Sequence, residues 1–333
     1  MMTASTSALQ ALLRGAIDYA GLFPPARLDM ATTVANYSRY RLEPEGWMLG
    51  RLVCPAARLQ ELAPWHEEMR SATPPWRLAV LGRGGDSVAS FLTNLRTDLE
   101  EMAAFRAQTQ ERVLVDVYEV KVPTRFQGSG EAASWLSQTY DLLERLGPPV
   151  VTPFFEASPG NDGTAQHLTP LLAALAEEEF SAAAESRLRV LPGGFKLRCG
   201  GLEASAFPSA ATVAAVLAAC RDDDLPVKFT AGLHHPLPRR DSALGVTMHG
   251  FVNVLLAALF AYLADWTEEE LETLLQDDNP SHFHFNDEAW SWQGHALTAA
   301  QIADLRAECG LTFGSCSFDE PRDDLRSLGW LPG

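Results

Sequence analysis

Lysine is almost missing from this sequence of 333 residues: of its 26 basic residues, 23 are Arg, and only Lys121, Lys196 and Lys228 are Lys. Basic charge as a whole is scarce, since Asp and Glu number 43 and the formal net charge is −17. A chain this negative has no general attraction for nucleic acid or anionic membrane surfaces, so neither is an expected partner. Cysteine is sparse too. Cys54, Cys199, Cys220, Cys309 and Cys316 form no CxxC pair and no Cys/His zinc spacing. Neither a disulfide framework nor a structural zinc is therefore indicated.

Long apolar runs are also lacking. The strongest, Phe251–Ala264, is interrupted by Asn253 and falls short of the ~20 residues of a membrane span. The opening residues show no charged segment leading into an apolar one, so no signal peptide is expected and the chain is read as cytoplasmic. No G-x-G-x-x-G follows a strand and no G-x-x-x-x-G-K-[ST] occurs, which leaves dinucleotide and P-loop readings without support. With no short-period repeat and no low-complexity linker, residues 1–333 are read as a single domain.

What is present is a regular alternation of short β-rich runs and helical patterns, in a chain 47% hydrophobic and able to bury a core. Strands are expected at 16–19, 47–54, 77–81, 112–122, 149–156, 194–199, 225–231 and 311–318. Helices are expected between them, including one capped by Asp86 and running to about residue 107. Residues 266–297 are treated as an excursion before the last strand, with a polar-tipped hairpin around Asn286, Asp287 and Glu288. Eight strands alternating with helices predict a (β/α)₈ barrel; a doubly wound open sheet is the competing arrangement.

In a barrel, chemistry belongs at the C-terminal ends of the strands. The polar residues expected there are Asp18 on strand one, Arg51 on strand two, and Glu119 and Lys121 on strand four. Glu156 follows on strand five, Lys196 and Arg198 on six, and Lys228 and Thr230 on seven. His234, His235 and His249 come next, and Ser315 and Ser317 flank Cys316 on strand eight. Period-two alternation puts Lys196 and Arg198 on one face, opposite Phe195, Leu197 and Cys199. Lys196, Arg198, Lys228 and Thr230 are thus expected to point into the barrel, while Cys316, of opposite parity to the serines, is expected to pack.

Arg replaces Lys wherever only charge matters, but its guanidinium does not deprotonate. A lysine kept at a barrel centre beside a second lysine should have a depressed pKa and be able to form a Schiff base. On that reading Lys196 is the nucleophile, Lys228 tunes it, Glu119 or Glu156 moves protons, and Arg198 holds the anionic group of a small oxygenated substrate. Buried ion pairs of the lysines with Glu119 and Glu156 are the structural alternative, which would make the chain a non-catalytic binding barrel. No motif calls for a cofactor. A divalent metal on Glu156, His234 and His249, serving a hydrolase or isomerase, is the remaining alternative.

Y-A-G-L-F-P-P-A at 19–26, K-L-R-C-G-G at 196–201, K-F-T-A-G-L-H-H-P at 228–236, M-H-G-F-V-N at 248–253 and F-G-S-C-S-F-D-E-P at 313–321 resemble a group of uncharacterised bacterial proteins. That resemblance brings no activity. More locally, Lys196–Gly200 and Lys228–Gly232 resemble the paired K-x-x-x-G strands of class I aldolases of the deoxyribose-phosphate type. The resemblance implies a (β/α)₈ barrel with Lys196 as Schiff-base lysine and Lys228 as the residue that depresses its pKa. Arg198 and Cys199 depart from that family's pattern, and no residue matches its catalytic aspartate by motif.

Overall fold

A computed structural model describes residues 7–123, 131–158, 164–184, 190–191, 193–309 and 311–332. Met1 to Ser5, read above for a signal peptide, lie outside them. Short helix α1 (Ala8–Leu13), which sequence analysis did not anticipate, precedes the first strand, β1 (Ile17–Tyr19). Strands β2 (Leu49–Pro55), β3 (Arg77–Leu81), β4 (Leu114–Lys121) and β5 (Thr152–Ala157) follow with helices between them. Next come β6 (Gly194–Arg198) and β7 (Val227–Thr230), and the last barrel strand runs from Phe313 to Ser315.

These eight strands pair in parallel, and β1 is hydrogen-bonded both to β2 and to the strand at Phe313–Ser315. The sheet is therefore closed, which excludes the open doubly wound arrangement. The molecule contains a (β/α)₈ barrel.

The helices follow from caps and apolar faces. Asp29 accepts the Thr32 amide at 2.7 Å to start α2 (Met30–Tyr40). Ser87, rather than Asp86, starts α4 (Val88–Gln108), because its hydroxyl and that of Ser90 satisfy each other's backbone N–H groups in a capping box. Between these two, where a helix is expected after the second strand, Ala56–Trp65 is 3₁₀ with Pro64 inside it, and only α3 (His66–Ser71) is α-helical. Helix α5 (Ala132–Leu146) sets Trp135, Leu136, Thr139, Tyr140 and Leu143 on one buried face. Trp135 meets Phe155 edge-on at 5.6 Å, so the outward side of β5 is sealed by the shell. Burying one such large side chain is worth about 1.5–3 kcal/mol.

After β6, Ser209 caps α7 (Ala210–Asp222), which follows α6 (Thr169–Ala184) in chain order. A two-stranded hairpin, β8 (Arg239–Asp241) and β9 (Val246–Met248), intervenes before α8 (Phe251–Ala264). The excursion comprises α9 (Glu268–Gln276) and an antiparallel sheet of β10 (Phe283–Phe285), β11 (Ala289–Trp292) and β12 (His295–Thr298). The expected hairpin is its first two strands; the third was not anticipated. Helix α10 (Ala299–Cys309), the closing strand β13 (Phe313–Ser315) and α11 (Asp319–Ser327) complete the chain.

Inside the barrel, Val53, Ala79, Val117 and Phe154 form a small apolar cluster of their own on β2 to β5. The interior is therefore divided. One half is packed with hydrocarbon, and the other, formed by β4 to β7 and β1, is filled with charge.

Candidate active site at the barrel mouth

Strand pairing sets the charged half. Glu156 on β5 is level with Lys196 on β6, which is level with Lys228 on β7. Phe155, Phe195, Leu197 and Phe229, their chain neighbours, are fully buried in the main hydrophobic core, so alternation turns the charged residues inward. Lys196 Nζ lies 2.7 Å from Glu119 Oε2 and 2.7 Å from Glu156 Oε2. Glu156 Oε1 also accepts from Arg198 at 3.3 Å. Lys228 Nζ donates to Asp18 and to Thr312 Oγ1 (2.7 Å), and stands 3.3 Å from Glu119 Oε1. Charges thus alternate along one continuous run: Asp18, Lys228, Glu119, Lys196, Glu156, Arg198.

Burial alone would push the Lys196 ammonium towards neutrality. The two carboxylates outweigh it and hold the lysine pKa above its ordinary value. The expected depressed pKa is therefore corrected: the second lysine is neutralised by Asp18, and Lys196 faces two anions instead of one cation. Burial likewise opposes ionisation of Glu156 and Asp18, but Lys196 and Arg198 keep Glu156 below the usual carboxylate range, and Lys228 and Arg51 do the same for Asp18.

Above this run opens a cavity of about 350 Å³. Of the residues singled out from sequence, Glu119, Lys121, Glu156, Lys196, Arg198, Lys228, Thr230 and His234 line it. Phe23, Pro24, Pro25 and Leu202 add an apolar rim. Glu119 Oε1 is buried with no hydrogen-bond donor in bonding geometry, its contact with Lys228 being a matter of proximity alone. Lys121 is exposed at the rim.

Other expected residues lie elsewhere. Asp18 is fully buried beneath the cavity, where its carboxylate also takes the Arg51 amide at 2.6 Å. Arg51 is spent on Asp116 at 2.8 and 3.0 Å, near the N-terminal end of the barrel. Both belong to the supporting layer, since neither side chain lines the cavity. Ser315 and Ser317 do not line the cavity; the Ser315 hydroxyl donates to the Ser317 carbonyl at 2.7 Å. Gly314 and Cys316 line it instead, because Phe313 stacks outward on Phe251 at 4.9 Å and thereby fixes the parity of the strand. His235 is tied to Asp324 of α11 at 2.5 Å.

His249 is buried off the cavity, donating from Nε2 to the Pro208 carbonyl at 2.8 Å, and burial lowers its pKa. It lines a separate cleft of about 760 Å³ with Phe207, Pro208, Met248 and Leu275. That cleft is the larger of the two, but it gathers no cluster of buried charges and lies outside the barrel mouth. The proposed metal set of Glu156, His234 and His249 is therefore not assembled. Among the described residues no group of three or more His, Cys, Asp or Glu is placed to hold a metal ion.

Gly200 and Gly232 close the site from behind. A Cβ on Gly200 would come 2.7 Å from the Cα of Gly232, whose φ is +72°, so the loops after β6 and β7 touch backbone to backbone.

Thr312 and Glu320 were missed from sequence, and Cys316, expected to pack, lines the cavity instead. Glu320, in the F-G-S-C-S-F-D-E-P stretch, meets His234 Nδ1 at 3.0 Å. Residues Phe23 to Pro25 had a signal, since they fall within Y-A-G-L-F-P-P-A, but nothing in that motif says where it folds.

No family model and no curated protein sequence matches the chain. Among solved structures, it is similar to an apo-form protein from Toxoplasma gondii ME49 named as a candidate deoxyribose-phosphate aldolase. There the identity is 13% and the TM-score 0.41, over 68% of this chain and 81% of that one. It is also similar to the TTHB071 protein from Thermus thermophilus, from a crystal soaked with zinc chloride. In that case the identity is 15% and the TM-score 0.42, over 94% of this chain and 96% of that one. At such scores neither likeness carries an argument about chemistry.

Proposed function

We propose that the chain is an enzyme of lyase type acting on a small anionic hydroxy-carbonyl compound at the barrel mouth, with Lys196 as its charged centre. The observation that carries this reading is the ammonium of Lys196 held by two carboxylates on the floor of a cavity beside an unsatisfied carboxylate oxygen. An ammonium has three donors. Two are taken by Glu119 and Glu156, and the third serves a substrate carbonyl oxygen. Glu119 Oε1 accepts the proton of a β-hydroxyl as the carbon–carbon bond breaks. The electron pair ends as an enolate whose oxygen is stabilised by Lys196, and the proton returns to the enolate carbon. Arg198, half-exposed and only weakly engaged, takes the anionic group of the substrate.

A second reading, an imine on Lys196, has one observation in its favour: Glu156 Oε2 at 2.7 Å is placed to receive the ammonium proton. Borohydride reduction with carbonyl compounds separates the two readings, since only an imine leaves a mass adduct lost in Lys196→Arg. The common premise is tested by a panel of sugar phosphates, hydroxy-keto acids and neutral polyols, read by calorimetry and by NMR for turnover. Binding of anionic hydroxy-carbonyl members, weakened about tenfold or more by Arg198→Met, is expected. Binding unaffected by Arg198→Met, or none at all, contradicts it, and binding without turnover makes the chain a binding barrel.

A further inference from the structure

We infer that His234 and Glu320 form an acid/base dyad at the wall of the barrel cavity, Glu320 being a positioning residue and His234 the group that meets the ligand. The inference rests on the barrel mouth being the reaction site and adds a proton carrier that lies outside the lysine–carboxylate run.

The loop after β7 brings His234 to the cavity. Its Nδ1 stands 3.0 Å from Glu320 Oε2 in the first turn of α11. Glu320 is held there from its own side, because its backbone N–H is taken by Ser317 Oγ at 3.1 Å. Hydrogen bonding to His234 is the largest influence keeping the Glu320 carboxyl below its ordinary value, so the partner is an ionised acceptor. A carboxylate accepts only, hence Nδ1 carries the proton and, in the neutral ring, Nε2 keeps a lone pair. Among the described residues no side chain or backbone group hydrogen-bonds that nitrogen.

A carboxylate behind one imidazole nitrogen fixes the tautomer and orients the ring, while the other nitrogen moves the proton. The neighbouring His235 provides an internal contrast. It is tied to the same helix through Asp324, four residues after Glu320, yet it does not line the cavity. Two consecutive histidines are thus anchored to two carboxylates one helical turn apart, and only one of them is presented to the cavity.

Diethyl pyrocarbonate acylates an unprotonated, reachable imidazole nitrogen and needs no knowledge of the substrate. In the full chain at neutral pH, peptide mass mapping should find His234 acylated faster than His235 and His249. Glu320→Gln should slow acylation of His234, because an amide in place of the carboxylate no longer fixes the proton on Nδ1 and the lone pair on Nε2. Long-range ¹⁵N NMR of histidine-labelled wild-type protein should show His234 with its proton on Nδ1, an observation independent of how the variant folds. An inert His234, an Nε2-protonated tautomer, or an acylation rate unchanged in Glu320→Gln overturns the dyad. If these results hold while the anionic panel fails to bind, the lyase reading falls and the dyad stands.

Discussion

Lys196 and Glu119 stand on β6 and β4, with β5 between them, and their side chains meet at 2.7 Å across the barrel interior. Two strands that are not hydrogen-bonded to each other can make such a contact only through residues that both point inward. The pair thus joins the barrel's charged half from inside. Neither ion is affordable alone at this depth: desolvation costs several kcal/mol per ion, and mutual attraction offsets it only when the remaining donors and acceptors are met. The alternating run from Asp18 to Arg198 meets nearly all of them, leaving Glu119 Oε1 as the acceptor without a donor.

Removing the ammonium should therefore be severe. Lys196→Met strands two buried carboxylates and is expected to lower unfolding free energy by about 3–5 kcal/mol. Denaturant titration checks this. Adding Glu119→Gln and Glu156→Gln to the same variant should recover much of the loss, because uncharged partners no longer need a cation.

The network also dictates the pH dependence. Glu156 and Asp18 have folded-state pKa values below their ordinary 4.5 and 3.8, so the unfolded chain binds more protons in that window. Their stabilisation is complete above the ordinary values and is lost as pH falls through the depressed ones. Lys196 behaves oppositely: its contribution is complete below 10.5 and is lost only as pH rises through its raised value. Urea midpoints across pH should fall on the acid side, and Glu156→Gln should flatten that limb.

Arg198 should separate binding from stability. Its side chain is 39% exposed and its contact with Glu156 is 3.3 Å, a geometry worth no more than about 1 kcal/mol. Arg198→Met is expected to leave the unfolding midpoint within that margin while weakening capture of an anionic ligand about tenfold or more, as paired thermal and calorimetric titrations would show.

The backbone contact behind the site is just as testable. Gly200→Ala forces a methyl against the Cα of Gly232 and should cost about 1–3 kcal/mol, readable from the thermal midpoint. Gly314→Ala should be far milder, since an added Cβ there meets only Thr230 Oγ1 at 3.4 Å.

The barrel was legible because strand periodicity is local: Phe195 and Leu197 alternate with Lys196 and Arg198, and any sheet obeys that alternation. The convergence of Lys196, Lys228, Glu119 and Glu156 followed from it. Depth along a strand was not legible. Asp18 and Arg51 look like site residues in sequence, yet they sit one layer too low, where Asp116 completes their pairing. The parity of the last strand was misread because Phe313, not the hydroxyls, decides which side packs on α8. The sign of the Lys196 pKa shift needed the partners' distances, since the same lysine beside another lysine alone would have shifted the other way. The link from His234 to Glu320 spans 86 residues, beyond the reach of any local pattern.

The scarcity of lysine that marks this sequence makes the decisive measurement clean. Labelling with ¹⁵N-lysine gives side-chain signals from only three residues, and Lys196→Arg assigns one of them. If Lys196 is an ammonium clamped by Glu119 and Glu156, its Nζ resonance should keep the protonated shift up to and beyond pH 10.5, where a free lysine is half titrated. A Lys196 signal that moves to the neutral amine below about pH 9 would contradict the account, and would make the residue the nucleophile that its sequence context first implied.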